Sequence, residues 1–511
     1  MPTRWSTFPV EFRGGLISSL SPLQHGINAV GSARLLQNYE PSKEGGYKKI
    51  LGYEKFIDGT VPGSGVMLGV KVANQTKVIA VRKNGSNVSQ YYINSGSSWS
   101  SLGSAANLGG KVKGVDFNFD GTHKIIFVDG NNIPAVFEDA TDTLSFPSGY
   151  PSDVVGGEHV EVYKQHIFIS KGNTISFSVP YDETDFSTAL GGGSISVGHT
   201  ITGLKVFRDQ LFIFSRNSIQ RLVGSSVADF QLIPVTEDIG CIDGDTIQEV
   251  GGDVMFLAAD GLRLLGATDR IGDFSINLPS QVIEKDVLDF INTYGSFTSL
   301  VVRRKSQYRI LGYSSSENTE TTKALLGTRF PENFQWAKTQ GIKANVADGR
   351  YVPDFELIVF AADDGYVYRL ETGSSFNGEN IQAIYESPFM PIDDPKTRKT
   401  LYTMALYVEA GGAFKVDVDF NFDLYKIKNY NDQVQPPTIV LENTGSTSAS
   451  LYGSSSTVYN TSLYGTELDK VYNSPVIGAG TTFSFRIEDN STNPSHSLDT
   501  AVFEYATFDR R

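Results

Sequence analysis

Residues 251–266, "GGDVMFLAADGLRLLG", read as a buried strand, a tight turn and a second strand, and the same outline returns at 355–370 as "FELIVFAADDGYVYRL". The core of each is a pentad, one polar residue followed by four mostly apolar ones. Seven such pentads occur: KVIAV at 77, KIIFV at 124, HIFIS at 166, QLFIF at 210, DVMFL at 253, QYRIL at 307 and ELIVF at 356. Runs this short and this rich in Val, Ile and Phe fit strands buried on both faces better than helices. The clusters that follow, such as "RKNG", "DGNN" and "AADDG", tolerate the positive φ of a hairpin turn. Spacings of 47, 42, 44, 43, 54 and 49 residues give a period in the forties, with room for three or four strands per unit. One such unit cannot cover its own two faces, whereas neighbours stacked around an axis can. The sequence therefore predicts an all-β chain with a β-propeller of six or seven blades over 61–392. The tryptophan-aspartate signature of the commonest propellers is missing.

A second marker keeps the same period, Asp-Phe at 185–186, 229–230 and 273–274. The Asp reads as a turn-closing acceptor and the Phe as packing between units. The longest gap between pentads coincides with "LPSQVIEKDVLDFINTYG", 278–295, in which Ser280 reads as an N-cap and Val282, Ile283, Val287, Leu288 and Ile291 share a helical face. This predicts one inserted helix covering a blade edge, with a docking surface as the alternative.

Both ends break the period. Residues 1–60 are irregular and dense in turn residues, which predicts an N-terminal arm. "SPFMPIDDPKTRKT", 387–400, carries three prolines and marks the other boundary. Beyond it "TLYTMALYVEA", "FKVDVDFNFDLY" and "TTFSFRIED" alternate, predicting a C-terminal antiparallel β-sandwich-like domain over 393–511. Its Ser/Tyr/Gly tract, 446–475, cannot bury enough to fold alone and reads as a surface loop, or as a loop that orders against a partner.

Chemistry is sparse. A net charge of −14 opposes a tight grip on nucleic acid, which needs Lys and Arg to replace counterions. The single cysteine, Cys241, cannot form an internal disulfide and reads as a small buried hydrophobe. No apolar h-region opens the chain and no run reaches the ~18 apolar residues of a membrane span, so neither export nor a membrane anchor is expected. On that expectation the Asn-x-Ser/Thr sites at Asn74, Asn84, Asn87, Asn460 and Asn490 are loop composition. "DFNFDG" (Asp116, Asn118, Asp120, Gly121) matches the first half of a calcium loop, yet Lys124 and Phe127 stand where further ligands are needed. The histidines (His25, His123, His159, His166, His199, His496) lack metal-ligand spacing, and neither a phosphate loop nor a Gly-x-Ser-x-Gly elbow occurs. Asp393 with Asp394, and Asp182 and Glu183 with Asp185, are paired carboxylates of the kind that acid-base hydrolysis of a glycan uses, and "KTRK" (396–399) is a basic cluster that a phosphate backbone would contact. Each reads more simply as an exposed turn. No catalytic, cofactor-binding or metal role is assigned to any residue.

The arm, "GGL…SPL…G…A…LLQNYEPSKEGGYKKILGYEKF", resembles the opening of the tail nozzle or tail-hub proteins of short-tailed bacteriophages, the packaged-DNA stabilisation type. The likeness lies at Gly14, Gly15, Leu16, Pro22, Asn38, Pro41, Gly45, Gly46, Tyr47, Gly52, Tyr53 and Phe56, and "GGDVMFLAADGLRLL" is similar to an internal signature of that group. The resemblance implies a non-enzymatic virion protein, made in the host cytoplasm. It further implies a homo-oligomeric ring, usually of six copies, below the portal. Head-to-tail adaptor proteins would dock above and tail fibres or spikes around, with DNA passing through without sequence-specific binding. Head-to-tail contacts that close do give cyclic rings, and the net charge suits a conduit that repels DNA over a Debye length of ~8 Å rather than a clamp. The alternative is a propeller that binds or cleaves glycan.

Overall fold

The computed structural model describes residues 5–266, 278–352, 355–423, 437–443 and 469–507. Each pentad lies in the second strand of one of seven successive antiparallel sheets, whose second strands are Val78–Lys83, Lys124–Val128, His166–Lys171, Gln210–Ser215, Asp253–Ala258, Gln307–Tyr313 and Phe355–Ala361. Five sheets have four strands, the fifth has three among the described residues, and the four strands of the sixth continue into a nine-stranded sheet.

The pentads are apolar throughout because successive side chains face opposite neighbours. Ile79 and Val81 pack on Ile125 and Phe127 of the second sheet, while Val78 and Ala80 face back to Val359 and Ala361 of the seventh. The pattern then steps around the ring. Ile126 meets Ile167, Phe168 meets Leu211, and Phe214 meets Phe256. Met255 shares a core with Tyr308, and Leu311 with Ile358. Seven apolar cores thus join consecutive sheets, and the last returns to the first. The fold is all-β and a β-propeller, as the period predicts.

The Asp-Phe markers do what their chemistry suggests. Asp229 accepts from the backbone N–H of Ser225 and Ser226 at 3.0 and 2.7 Å, closing a turn, and Phe230 packs edge-on against Phe168 and Phe177 between sheets three and four. The third marker, 273–274, lies outside the described residues.

The segment read as an irregular arm is distributed between both units. Its strand Tyr53–Lys55 is the outermost strand of the seventh sheet, pairing with Val367–Leu370. Leu35–Gln37 joins the sixth sheet to the C-terminal unit, lying between Phe334–Gln340 and Ile381–Glu386. Ser6–Glu11 and the hairpin Tyr39–Pro41/Tyr47–Lys49 add to the C-terminal unit's own sheet. Close approach fixes this weave: Gly15 has φ +69°, and a Cβ there would sit 2.8 Å from the Trp336 backbone.

The C-terminal unit is a two-layer antiparallel sandwich. Phe414, Val416, Val418, Phe485 and Ile487 of one layer face Met404, Leu406, Leu498 and Phe503 of the other. It begins before the proline-rich boundary, because Ile381–Glu386 already pairs with Phe483–Ser491. The prolines end that strand rather than the domain. Of the Ser/Tyr/Gly tract, 469–475 form strand and 446–468 lie outside the described residues.

The inserted helix is present as Glu284–Thr293, preceded by a 3-10 turn, Gln281–Ile283. Its buried stripe differs from the expected one. Ile283, Val287, Phe290 and Tyr294 are buried, whereas Val282 and Leu288 are 37% and 36% exposed. The 3-10 turn shifts the phase of the first residues, and Ser280 makes no N-cap bond; its Oγ accepts from Leu262 N at 3.0 Å instead.

Candidate functional site

The first strand of each sheet lines the axis, and these strands enclose two adjoining chambers of about 470 and 190 Å³. Lys71, Gly114, Gln248, Ser299 and Asp348 border both. The lining is charged. Lys71 Nζ lies 3.3 Å from Asp116 Oδ2 and 3.4 Å from Asp348 Oδ1, joining sheets one, two and seven. Arg350 Nη1 is 2.7 Å from Asp116 Oδ1, which also meets His123 Nε2 at 2.8 Å. A second group crosses the axis: Lys111 and Lys113 reach Asp245, in the 3-10 turn before the fifth sheet, at 3.3 and 3.0 Å, and Lys111 Nζ donates to Phe297 O of the sixth at 2.7 Å.

Burial would pull the Lys71 ammonium down, but Asp348 and Asp116 together raise it, so it stays charged. Burial likewise pushes Asp245 up, and Lys113 and Lys111 more than reverse that. Glu161 differs: burial holds its carboxyl above the usual range, against the pull of Lys205. Arg303 and Tyr351 stand at the mouth, 48% and 59% exposed at side chain and residue respectively. The arrangement can hold the blades together and can present charge and one aromatic face to a small polar ligand.

Sequence reasoning passed over this cluster, although a signal exists. The first strands carry "GVKV" (69–72), "KVKG" (111–114) and "GLKV" (203–206), a lysine recurring just before the pentads.

The residues singled out by sequence fall elsewhere or in other roles. Asp116 of "DFNFDG" turns to the axis, while Asp120 pairs with Lys124 at 3.0 Å, so the two do not converge on one point. Among the described residues no group of three His, Cys, Asp or Glu side chains is placed to hold a metal. Cys241 is buried, with its thiol pushed up to about 12 by desolvation. Glu183 pairs with Lys124 at 2.9 Å, and Asp182 and Asp185 accept from backbone N–H groups of their own turn. Asp393 accepts from Tyr505 Oη at 2.9 Å and Asp394 from Lys396 N at 3.0 Å. In "KTRK", Lys399 is buried against the carbonyls of Pro391 and Asp394, which removes it from any surface contact. His25 bonds Ser32, His159 meets Lys113, His166 meets Ser178 O and His496 meets Tyr39, while His199 is exposed.

No family model and no curated protein matches the chain. Among solved structures, it is similar to two described as extracellular domains of a one-component system and of a hybrid two-component system from B. thetaiotaomicron. Each is 11% identical with a TM-score of 0.38, over 71% of this chain. The chain spans 44% of the length of those two chains.

Proposed function

We propose that the chain is a non-catalytic structural protein of a short-tailed bacteriophage tail, a nozzle or hub subunit that forms a homo-oligomeric ring around the DNA exit channel. One observation carries the reading: several residues behind the resemblance fasten the N-terminal segment to the propeller or the sandwich, and Asn38 joins the two. Gly15 abuts Trp336, and Asn38 Nδ2 donates to Gln340 O and Gln382 O at 3.0 and 2.9 Å. Tyr47 Oη donates to Gly31 O at 3.0 Å, and Tyr53 lies in the strand that completes the seventh sheet. The likeness is thus to an architecture, which is what a ring of load-carrying subunits would share. DNA would run between subunits and not through a propeller, because the Lys111–Asp245 bridge crosses an axis too narrow for a duplex whose major groove alone is ~12 Å wide. The conduit would repel DNA, given −14 per copy. Light scattering and single-particle imaging of the purified protein, alone and with an adaptor ring, test this. A closed ring with a duplex-wide hole is expected; a monomer under both conditions would sink it.

A glycan-binding propeller is the second reading, favoured by Tyr351 standing exposed beside Arg303 and Arg350 at the chamber mouth. An aromatic face with charged donors suits a sugar ring bearing acid groups. A glycan array answers it: binding lost in Tyr351→Ala would favour this reading over the tail ring.

A further inference from the structure

In the sandwich, the hairpin strand Tyr47–Lys49 delivers Lys49 into the core beside Asp489 of strand Phe483–Ser491. Their side chains are 1% and 0% exposed, with Nζ 2.9 Å from Oδ2. Lys49 Nζ also donates to Ser491 O at 3.0 Å, and four further side chains complete the setting. Ser491 Oγ donates to the other carboxyl oxygen, Oδ1, at 2.5 Å. His496 Nδ1 lies 3.6 Å from Oδ2, and its Nε2 meets Tyr39 Oη at 2.8 Å. The Phe414 ring packs edge-on against the imidazole, with centroids 4.9 Å apart, so the pocket is walled by aromatic surface.

We propose that this site is self-modifying, and that Lys49 and Asp489 become joined by an intramolecular amide bond between Lys49 Nζ and Asp489 Cγ. The reacting forms are the free amine and the free acid, reached by moving one proton within the ion pair. Taking both charges out of water favours that neutral pair. Burial acts on each partner in the required sense, lowering the Lys49 ammonium and raising the Asp489 carboxyl. The Nζ lone pair attacks Cγ, forming the C–N bond, once the freed amine turns from its 2.9 Å contact with Oδ2 onto the face of the carboxyl group. Oδ1 carries the developing negative charge and is held by the Ser491 hydroxyl, as an oxyanion donor would hold it. A proton passes from the amine to Oδ2, the oxygen that Nζ already contacts, the Cγ–Oδ2 bond breaks, and one water leaves. No oxidant or second reactant enters the balance. The bond would tie residue 49 to residue 489, fastening the N-terminal weave to the sandwich.

Intact mass measurement of the denatured full-length protein, followed by tandem sequencing of its tryptic peptides, tests this. A mass lower by one water is expected, with a branched peptide joining the Lys49 and Asp489 segments. In Lys49→Arg, which keeps the charge but cannot form this amide, the water loss should vanish. A mass equal to that of the sequence in freshly folded and aged protein would overturn the inference. So would a water loss without the branched peptide, or one that persists in Lys49→Arg, since cyclisation of Asp489 onto the Asn490 backbone loses the same water.

Discussion

Lys111, just ahead of the second sheet, and Asp245, in the 3-10 turn Gly244–Thr246 that leads into the fifth, meet across the ring with Nζ 3.3 Å from Oδ2, and Lys113 adds a second ammonium at 3.0 Å. Two sheets that share no apolar core are thereby tied directly. Asp245→Asn would leave two half-buried cations, next to His159, that share the carboxyl of Asp243 in place of their direct ion pairs. We expect this variant to lose about 1–3 kcal/mol, the cost of leaving a buried charged partner unpaired, and Lys111→Met to lose less because Lys113 remains to pair. Urea midpoints check it. Equal midpoints for Asp245→Asn and the parent would mean that water already replaces the bridge.

Neighbouring residues of one pentad should injure different interfaces. Phe256 belongs to the core between sheets four and five, and Met255 to the core that runs on into sheet six and the sandwich. Both are 0% exposed. Phe256→Ala should cost about 3–5 kcal/mol and Met255→Ala about 2–5 kcal/mol. The sharper readout is hydrogen exchange. Phe256→Ala should speed exchange in Gln210–Ser215, and Met255→Ala in Gln307–Tyr313; the same pattern in both would contradict the alternating burial.

This alternation is also why the ring was legible in the sequence. A strand covered on both faces must be apolar at every position, so seven such strands repeat as continuous runs that a period search finds. The arm was illegible for the opposite reason. Strands such as Leu35–Gln37 and Tyr53–Lys55 are three residues long and pair with partners some 300 positions away, so nothing local encodes them. The axial cluster failed similarly: Lys71, Asp116 and Arg350 come from three different sheets and Asp245 from the turn before a fourth, and only the ring brings them together. The helix insertion was legible as a helix, but its phase was set by a 3-10 turn that periodicity does not foresee.

Acid should weaken the fold through three histidines before the carboxylates respond. Burial, with Arg34, pushes His25 down to about 4; burial, with Lys113, takes His159 to about 3; burial, with Lys49, takes His496 to about 3. Below the ordinary value of 6.5 the unfolded chain binds protons that the folded chain refuses. Stability is therefore complete above about pH 6.5 and falls toward pH 3–4, by up to ~1.4 kcal/mol per pH unit for each histidine. Denaturation midpoints at pH 7.5, 6 and 5 check the slope, and His25→Gln should flatten it. A slope beginning only near pH 4 would assign acid sensitivity to carboxylates alone.

Removing the arm should unmake the ring. Tyr53 stacks on Phe376 with centroids 5.1 Å apart, meets Phe360 edge-on at 5.1 Å, and its Oη donates to Gly341 O at 3.2 Å. Preceding it, Gly52 passes so close to Ser375 that a Cβ would lie 1.9 Å from its carbonyl oxygen. A chain starting at residue 61 loses the outer strand of the seventh sheet, leaving Val367–Leu370 as an open edge, and strips the hairpin Tyr39–Pro41/Tyr47–Lys49 from the sandwich. Open strand edges template pairing with other chains. We expect residues 61–511 to aggregate on expression, and Gly52→Val in the full chain to lower soluble yield severely because backbone on both sides must move. Tyr53→Ala, which keeps the strand but empties the aromatic cluster, should remain soluble and lose about 3–5 kcal/mol. Sedimentation of the three variants decides: a soluble, cooperatively unfolding 61–511 fragment would show that the ring closes without its N-terminal strand.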